Sequence, residues 1–255
     1  MKLMSYNILD GAVNTLSQII DVVNSEAPDY LTLNEANTFA NDNSKILKEF
    51  AHATGFPYFE IALSGEMDYH VAVFSKYPFI KIDKLQPLAR ACIVAKIESP
   101  IGRISIASLH LTPYSEDLRH PEIDKILEFQ KSEENRILMG DMNSLSKNDN
   151  YNVEIVIDFN VEQTKKFTTD GVLRFDAIDK IMSVGYFDSA FELGENHETT
   201  VPTKSNQDPA HKFMRLDYIF VSKPLVERLK SYKVIKNELT DIASDHYPIT
   251  LNLNA

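Results

Sequence analysis

Ile137-Leu138-Met139 runs into Gly140-Asp141-Met142-Asn143-Ser144, an apolar stretch that breaks at a glycine and then presents short polar side chains. The apolar run reads as a buried strand over Arg136–Met139, and the i, i+2 spacing puts Asp141 and Asn143 on one side of an extended chain. Gly, Asp, Asn and Ser are also ordinary turn formers. The pentapeptide alone therefore allows either a plain strand exit or one edge of a site, and the choice depends on how the other strands end.

Working outward, Leu3 to Leu9 alternates as a strand that ends near Asn7, with Asp10-Gly11 as a turn. Asn14 caps a helical pattern of Leu16, Ile19, Ile20 and Val23, and Pro28 stops it. Tyr30–Leu33 is a short strand delivering Glu35, and a second helix spans about Ser44 to Ala53 before Gly55-Phe56-Pro57. Strand candidates follow at Tyr58–Leu63, Val71–Ser75, Ala91–Ile97 and Arg103–Leu111, separated by Gly, Pro and Asp. Glu116 to Lys131 is helical by pattern, as is Ala177 to Gly185 with a glycine cap. Glu195 to Met214 reads as a long polar surface loop, and long loops in compact domains are commonly functional. Leu216–Val221 and Pro248–Leu253 are the closing strands. The consecutive strands suit a mixed sheet or two packed sheets with helices outside. With no composition break, repeat or low-complexity tract, residues 1–255 are expected to form one domain.

The 255 residues include 37 acidic and 26 basic side chains, a formal charge of −11 that repels polyanions at long range. A broad nucleic-acid-coating surface is excluded, whereas a local basic patch is not. The run from Lys223 to Lys236 carries five basic residues against one acidic and is such a patch, or else a solvated face. The single cysteine, Cys92, excludes an intrachain disulfide and a thiolate metal cage, and its apolar neighbours predict a buried structural role. Met1 to Leu9 is too short and polar for a signal peptide or a membrane span, so a cytoplasmic protein is expected. No hydrophobic hairpin suggests membrane docking. A monomer is the simplest expectation.

Six strand ends carry reactive polar groups: Asn7, Glu35, His110, Asp141 with Asn143, Asp217, and Asp245-His246. Each has an ordinary alternative as a cap, a turn residue or a satisfied core histidine. Asp217 within Arg215-Leu216-Asp217-Tyr218-Ile219 is harder to dismiss, because a carboxylate in an apolar strand needs a partner to offset its desolvation. Ser244-Asp245-His246-Tyr247-Pro248 supplies a histidine.

The set Tyr6-Asn7, Leu33-Asn34-Glu35, Ser108-Leu109-His110-Leu111, Gly140-Asp141-Met142-Asn143-Ser144, Arg215 to Phe220 and Ser244 to Ile249 resembles the endonuclease/exonuclease/phosphatase superfamily. The match runs from the first strand to the last, with Asn34 standing where the family usually has glutamine. The resemblance implies an α/β fold, a four-layer sandwich of two packed mixed β-sheets with helices on the outside. It also implies a Mg²⁺- or Mn²⁺-dependent hydrolase of phosphodiesters or phosphomonoesters. Carried over by motif, Glu35 would be the main metal ligand, with Asn7 beside the ion and Asp245 completing the acidic cluster. Asp141 would orient or deprotonate the attacking water, and Asn143 would hold a phosphate oxygen. His246, oriented by Asp217, would act on the phosphate as acid/base or charge stabiliser, and His110 would stabilise charge building on phosphorus. These types suit the chemistry on general grounds: Mg²⁺ takes hard oxygen ligands, and an Asp–His pair favours the charged imidazole.

Histidine rather than tyrosine at position 110 resembles the branch with pancreatic deoxyribonuclease, sphingomyelinases and magnesium-dependent tyrosyl-DNA phosphodiesterases, and argues against an apurinic endonuclease. Arg90, ahead of a strand, is a candidate for bidentate phosphate binding. The 199–214 loop, with Lys204, His211, Lys212 and Phe213, is the candidate for substrate selection, Phe213 being expected to anchor it in the core. Nucleic acid is the favoured substrate, with a small phosphorylated or lipid substrate as the alternative. A binuclear metallophosphoesterase would use Asp68-Tyr69-His70, Gly140-Asp141 and Asn196-His197-Glu198, but the second Asp expected after Asp141 is Ser144 and no Gly-x-His pair closes the site. An inactive binding module would lack a ligand or a catalytic histidine, and none is missing.

Overall fold

The computed structural model describes residues 1–204 and 212–254. Fourteen strands are present among them: β1 (Lys2–Asn7), β2 (Tyr30–Asn34), β3 (Tyr58–Ala62), β4 (Val71–Ser75), β5 (Phe79–Leu85), β6 (Ala91–Ser99), β7 (Gly102–His110), β8 (Arg136–Asp141), β9 (Thr168–Thr169), β10 (Val172–Leu173), β11 (Tyr186–Asp188), β12 (Asp217–Ser222), β13 (Leu229–Val234) and β14 (Ile249–Leu253). Twelve form two six-stranded sheets, ordered β13-β14-β1-β2-β4-β3 and β11-β12-β8-β7-β6-β5, and β9 with β10 makes a separate ribbon. The main helices are α1 (Leu16–Glu26), α2 (Asn41–Thr54), α3 (Glu116–Gln130), the short α4 (Val161–Lys165) and α5 (Asp176–Ser183).

The layers follow from the two-residue period of a strand. In β8, Ile137 and Met139 join Ile93, Ile106 and Ile219 of their own sheet and Leu3, Val73 and Leu251 of the other in one apolar cluster between the sheets. The alternate residues face outward. Met4, Leu33 and Phe74 pack under Ile19, Val23, Leu47 and Phe50 of α1 and α2, and Cys92, Leu138 and Phe220 pack under Ile123, Ile126, Ile178 and Ile181 of α3 and α5. Central strands buried on both faces read as unbroken apolar runs, which is why Ala91-Cys92-Ile93-Val94-Ala95 shows no alternation. The four-layer sandwich of two mixed sheets is therefore as expected.

Within each sheet one pair is parallel, β1 with β2 and β7 with β8, and the connections are α1 and α3. Parallel neighbours require such a crossover, so two βαβ units sit inside otherwise antiparallel sheets. Ser115 starts α3, its hydroxyl accepting from the Leu118 N–H at 3.4 Å.

Five strands were not anticipated, the two of the β9–β10 ribbon and three at sheet edges. β5 and β13 lie at sheet edges, and β11 is three residues long at a third edge. Charged side chains on the exposed faces of edge strands, such as Lys81 and Lys84 or Lys230 and Lys233, break the apolar signal. The basic run at 223–236 is thus a helical turn, Lys223–Val226, followed by a solvated edge strand whose Tyr232 is buried in the core. Leu229 pairs with Leu253, which puts the start of β13 at the far end of β14 from the residues described next. The 195–214 segment is likewise not a surface loop throughout: Thr200, Val201 and Thr203 are buried, and Val201 bridges Met214. Phe213 does not anchor it in the core, being 66% exposed. His211 lies outside the described residues. Among the described residues no helix is long and apolar enough to cross a membrane.

Candidate active site

Parallel neighbours finish at the same edge of a sheet, and the two βαβ units finish at the same edge of the sandwich. Asn7 lies across from Asn34, and His110 across from Asp141. Antiparallel neighbours begin there. Asp217 opens β12 opposite Asp141, Ala91 opens β6 opposite His110 so that Arg90 precedes it, and Val71 opens β4 opposite Asn34 so that Tyr69 and His70 precede it. The Ser244–Tyr247 turn enters β14, antiparallel to β1, with the Ser244 hydroxyl donating to the Asn7 carbonyl at 2.8 Å.

The side chains meet around a cavity of about 190 Å³ lined by Asp10, Glu35, Tyr69, Arg90, His110, Asp141, Asn143, Lys166 and His246, among others. The Asn7 amide donates to Glu35 Oε1 at 3.3 Å and Asp141 Oδ2 at 3.1 Å, and its oxygen accepts from the Leu9 N–H at 3.2 Å. In that orientation Asn7 spaces the two carboxylates. Glu35 also accepts from the Asp10 N–H at 3.1 Å. His246 Nδ1 is 2.8 Å from Asp217 Oδ2, and its Nε2 is 3.9 Å from Asp141 Oδ2. His110 Nε2 approaches the same Asp141 oxygen at 3.4 Å, and its Nδ1 has no hydrogen-bond partner.

Asn143 reaches the cavity by a different route from strand alternation. β8 ends at Asp141, and Asn143 has a left-handed backbone, φ 49°, stabilised by its N–H donating to Asp141 Oδ1 at 2.8 Å. Glu35 is also left-handed, φ 59°. Non-glycine residues held in this region concentrate where the surrounding structure imposes a side-chain direction. Gly140 has φ 142°, and a Cβ there would run into the carbonyl oxygen of Leu109; the break in the apolar run is what lets β8 lie against β7 at this point.

Burial pushes the Glu35 carboxyl up to about 7, with the Asp10 N–H offsetting part of the effect and Asp245 adding to it. The two histidines diverge. Burial lowers His110 to about 4, leaving it neutral. Burial opposes the charged form of His246 as well, but Asp217 and Asp245 outweigh it and hold this imidazole well above its ordinary value. Arg90 is 7% exposed and stacks on Tyr69, its guanidinium carbon 3.7 Å from the ring centroid, while Nε and Nη1 have no hydrogen-bond partner.

Asp141, Asp217 and His246 bring one ligand atom each within 4.8 Å of one another and form a group able to hold a metal. However, Asp217 Oδ2 and His246 Nδ1 already engage each other, so the trio is better described as an acid–imidazole pair facing Asp141. Glu35, half-buried near Asp245 and pushed up to about 7, is a carboxylate whose desolvation is only partly offset by its hydrogen bonds and by His246, and a hard divalent cation fits it.

The nine residues given catalytic, metal-ligating or phosphate-binding roles from the sequence lie in this region: Asn7, Glu35, Arg90, His110, Asp141, Asn143, Asp217, Asp245 and His246; Lys204 and Lys212 of the 199–214 segment instead pair with Asp241 and Asp158. Asn34, flagged only as an odd residue, connects the sheets. Its amide donates to the Leu109 carbonyl at 2.8 Å and its oxygen accepts from the Asp141 N–H at 3.1 Å. Tyr69 and Lys166 were missed. The signal for Tyr69 was its place just before a strand antiparallel to β2; for Lys166 there was none. The metallophosphoesterase residues are scattered: His70 Nδ1 accepts from the Ser64 N–H, Asn196 donates to the Asn148 carbonyl, and Glu198 pairs with Lys236.

Comparison with solved structures supports the same architecture. The chain resembles an endonuclease/exonuclease/phosphatase family protein from Leptotrichia buccalis (TM-score 0.70, 19% identity), an AP endonuclease from Archaeoglobus fulgidus (TM-score 0.75, 18%) and a 3′ phosphatase from Neisseria bound to a product DNA hairpin (TM-score 0.72, 19%), each alignment covering 100% of both chains. At these identities the likeness establishes the fold. No curated protein matched the sequence. The family model for the Endonuclease/Exonuclease/phosphatase family matches residues 4–246, from the first strand through the Asp217–His246 pair, and the chain therefore belongs to that family of phosphate-ester hydrolases.

Proposed function

We propose that this protein is a Mg²⁺- or Mn²⁺-dependent phosphoesterase that cleaves phosphodiester bonds in nucleic acid. The observation that supports it most is the convergence of Glu35, Asp141, His110 and the Asp217–His246 pair on one cavity. Glu35 and Asp245 would hold the ion, with Asn7 beside it; when bound, the ion offsets phosphate charge and polarises a phosphate oxygen. Asp141, anchored by the Asn7 amide and the Asn143 N–H, accepts the proton of the attacking water or orients it. His246, held protonated by Asp217, hydrogen-bonds the phosphoryl group and carries the transferable proton at Nε2. Neutral His110, the Asn143 amide and the two unpartnered Arg90 donors complete the set around the phosphoryl oxygens. Nucleic acid as the substrate rests on the DNA-directed proteins that share the fold; the basic 223–236 run no longer contributes to that reading.

Glu35→Ala and His246→Ala are each expected to lower hydrolysis of bis-para-nitrophenyl phosphate by about 10²–10⁴-fold, with little change in thermal midpoint for Glu35→Ala and a lower midpoint for His246→Ala, which leaves the buried Asp217 carboxylate without its imidazole. EDTA is expected to abolish the wild-type activity, and Mg²⁺ or Mn²⁺ to restore it. Near wild-type turnover in either variant would refute the assignment.

A further inference from the structure

A second cavity of about 390 Å³ opens beside the catalytic one. Its position follows from the β6–β7 register. Ala91 pairs with His110, and beyond the end of the ladder a single carboxylate holds the two chains together, Glu122 accepting from the Ala89 N–H at 2.7 Å and the Thr112 N–H at 2.9 Å. Ala89 and Thr112 line the second cavity, while their neighbours Arg90, His110 and Pro113 bear on the first. The two are separated by no more than two residues of chain, about 7 Å.

The walls identify the occupant by chemistry. Leu88 and Leu118 supply apolar surface, and Tyr114, 47% exposed, supplies an aromatic face. Thr112 is 1% exposed and its hydroxyl has no hydrogen-bond partner. Glu66 and Glu122 put carboxylates on the lining, which disfavours a second phosphate. A flat neutral ring with N–H donors on its edge satisfies all of these conditions, and the volume falls within the range of small-molecule sites.

We propose that this pocket receives the nucleobase of a nucleotide flanking the scissile phosphate, with Tyr114 as stacking surface and Thr112 as edge contact. The inference rests on the nucleic-acid reading above. It explains why a strongly acidic chain can engage a polyanion: the contact beyond the scissile phosphate is made to a base.

The test compares a pentamer of deoxyadenylate with the same backbone made of abasic tetrahydrofuran units, cleaved by wild type, Tyr114→Ala and Leu118→Trp. Leu118 is 52% exposed, so a tryptophan can fill the pocket mouth without disturbing the core. Wild type is expected to prefer the base-bearing pentamer by about 10-fold in kcat/KM, and each variant to remove most of that preference while leaving abasic cleavage within about twofold. A preference that survives both variants, or an equal loss on both substrates, overturns the proposal. Loss confined to bis-para-nitrophenyl phosphate would assign the pocket to a phenolic leaving group and also overturn it. If wild type cleaves neither pentamer, the nucleic-acid reading fails on its own, and adenosine titration followed by NMR decides the pocket: saturable shifts lost in Leu118→Trp support a base site, and their absence in wild type ends it.

Discussion

His110 and His246 are the same residue type, both buried and both near Asp141, yet they carry opposite charge states. The difference lies in their neighbours: Asp217 binds Nδ1 of His246 at 2.8 Å with Asp245 adding to its effect, whereas Nδ1 of His110 has no partner and burial prevails. An Asp217→Asn variant keeps the shape and removes the charge. It is expected to lower kcat by about 10²–10⁴-fold while KM changes little, because in the proposed mechanism the pair would act on the reacting phosphoryl group rather than on ground-state binding. Steady-state kinetics measures this; a change confined to KM would reassign the pair to substrate binding. Tyr69 operates differently, by bracing Arg90 through ring stacking. Tyr69→Leu is expected to raise KM by about 5–30-fold and Tyr69→Phe to restore most of the affinity, since the ring and not the hydroxyl meets the guanidinium.

At the scale of elements, the site is built from strand ends held in register across two sheets. Hydrogen bonds within each sheet fix Asn7 against Asn34 and His110 against Asp141. Between the sheets, Asn34 ties the end of β2 to the ends of β7 and β8. Thr32 and Tyr30 add contacts to Ser108 at 2.7 Å and 3.2 Å. Asn34→Ala would remove both hydrogen bonds that tie β2 to this point, while the Asp141 N–H and Leu109 carbonyl keep each other as partners in the β7–β8 ladder, so the cost is about 0.5–1.5 kcal/mol for each bond lost. Urea denaturation is expected to show a loss of that order, accompanied by reduced turnover because the edges of the two sheets are no longer locked together. An unchanged denaturation midpoint would show that water or a neighbour replaces the amide.

For the whole molecule, the metal site proposed at Glu35 would link cation binding to folding. A cation that binds only the folded chain raises its stability by about 2.7 kcal/mol at 100 times the dissociation constant, roughly 5–10 °C in thermal midpoint for a chain of this size. Saturating Mg²⁺ or Mn²⁺ is expected to produce such a rise in wild type and a much smaller one in Glu35→Ala; equal rises would place the ion elsewhere. Cys92, buried near the start of β6, reports on integrity independently. Burial pushes its thiol up, so a disulfide-exchange reagent should leave the native protein unmodified and titrate one thiol in denaturant.

Much of this was legible in the chain. Unbroken apolar runs such as Ala91–Ala95 and Ile137–Met139 announced strands covered on both faces, and polar residues at their ends supplied the reactive types, because hydrophobic burial and turn chemistry act within a few residues. The edge strands β5 and β13 were hidden, since solvent on one side and charge along them remove the contrast on which periodicity depends. Only the tertiary structure decided that Asn7 and Asp141, 134 positions apart, share a hydrogen bond. The left-handed turn that aims Asn143 and the pairing that leaves one histidine charged and the other neutral were likewise decided there. Desolvation and Coulomb energies depend on distance through space, and that distance exists only once the two sheets have closed face to face.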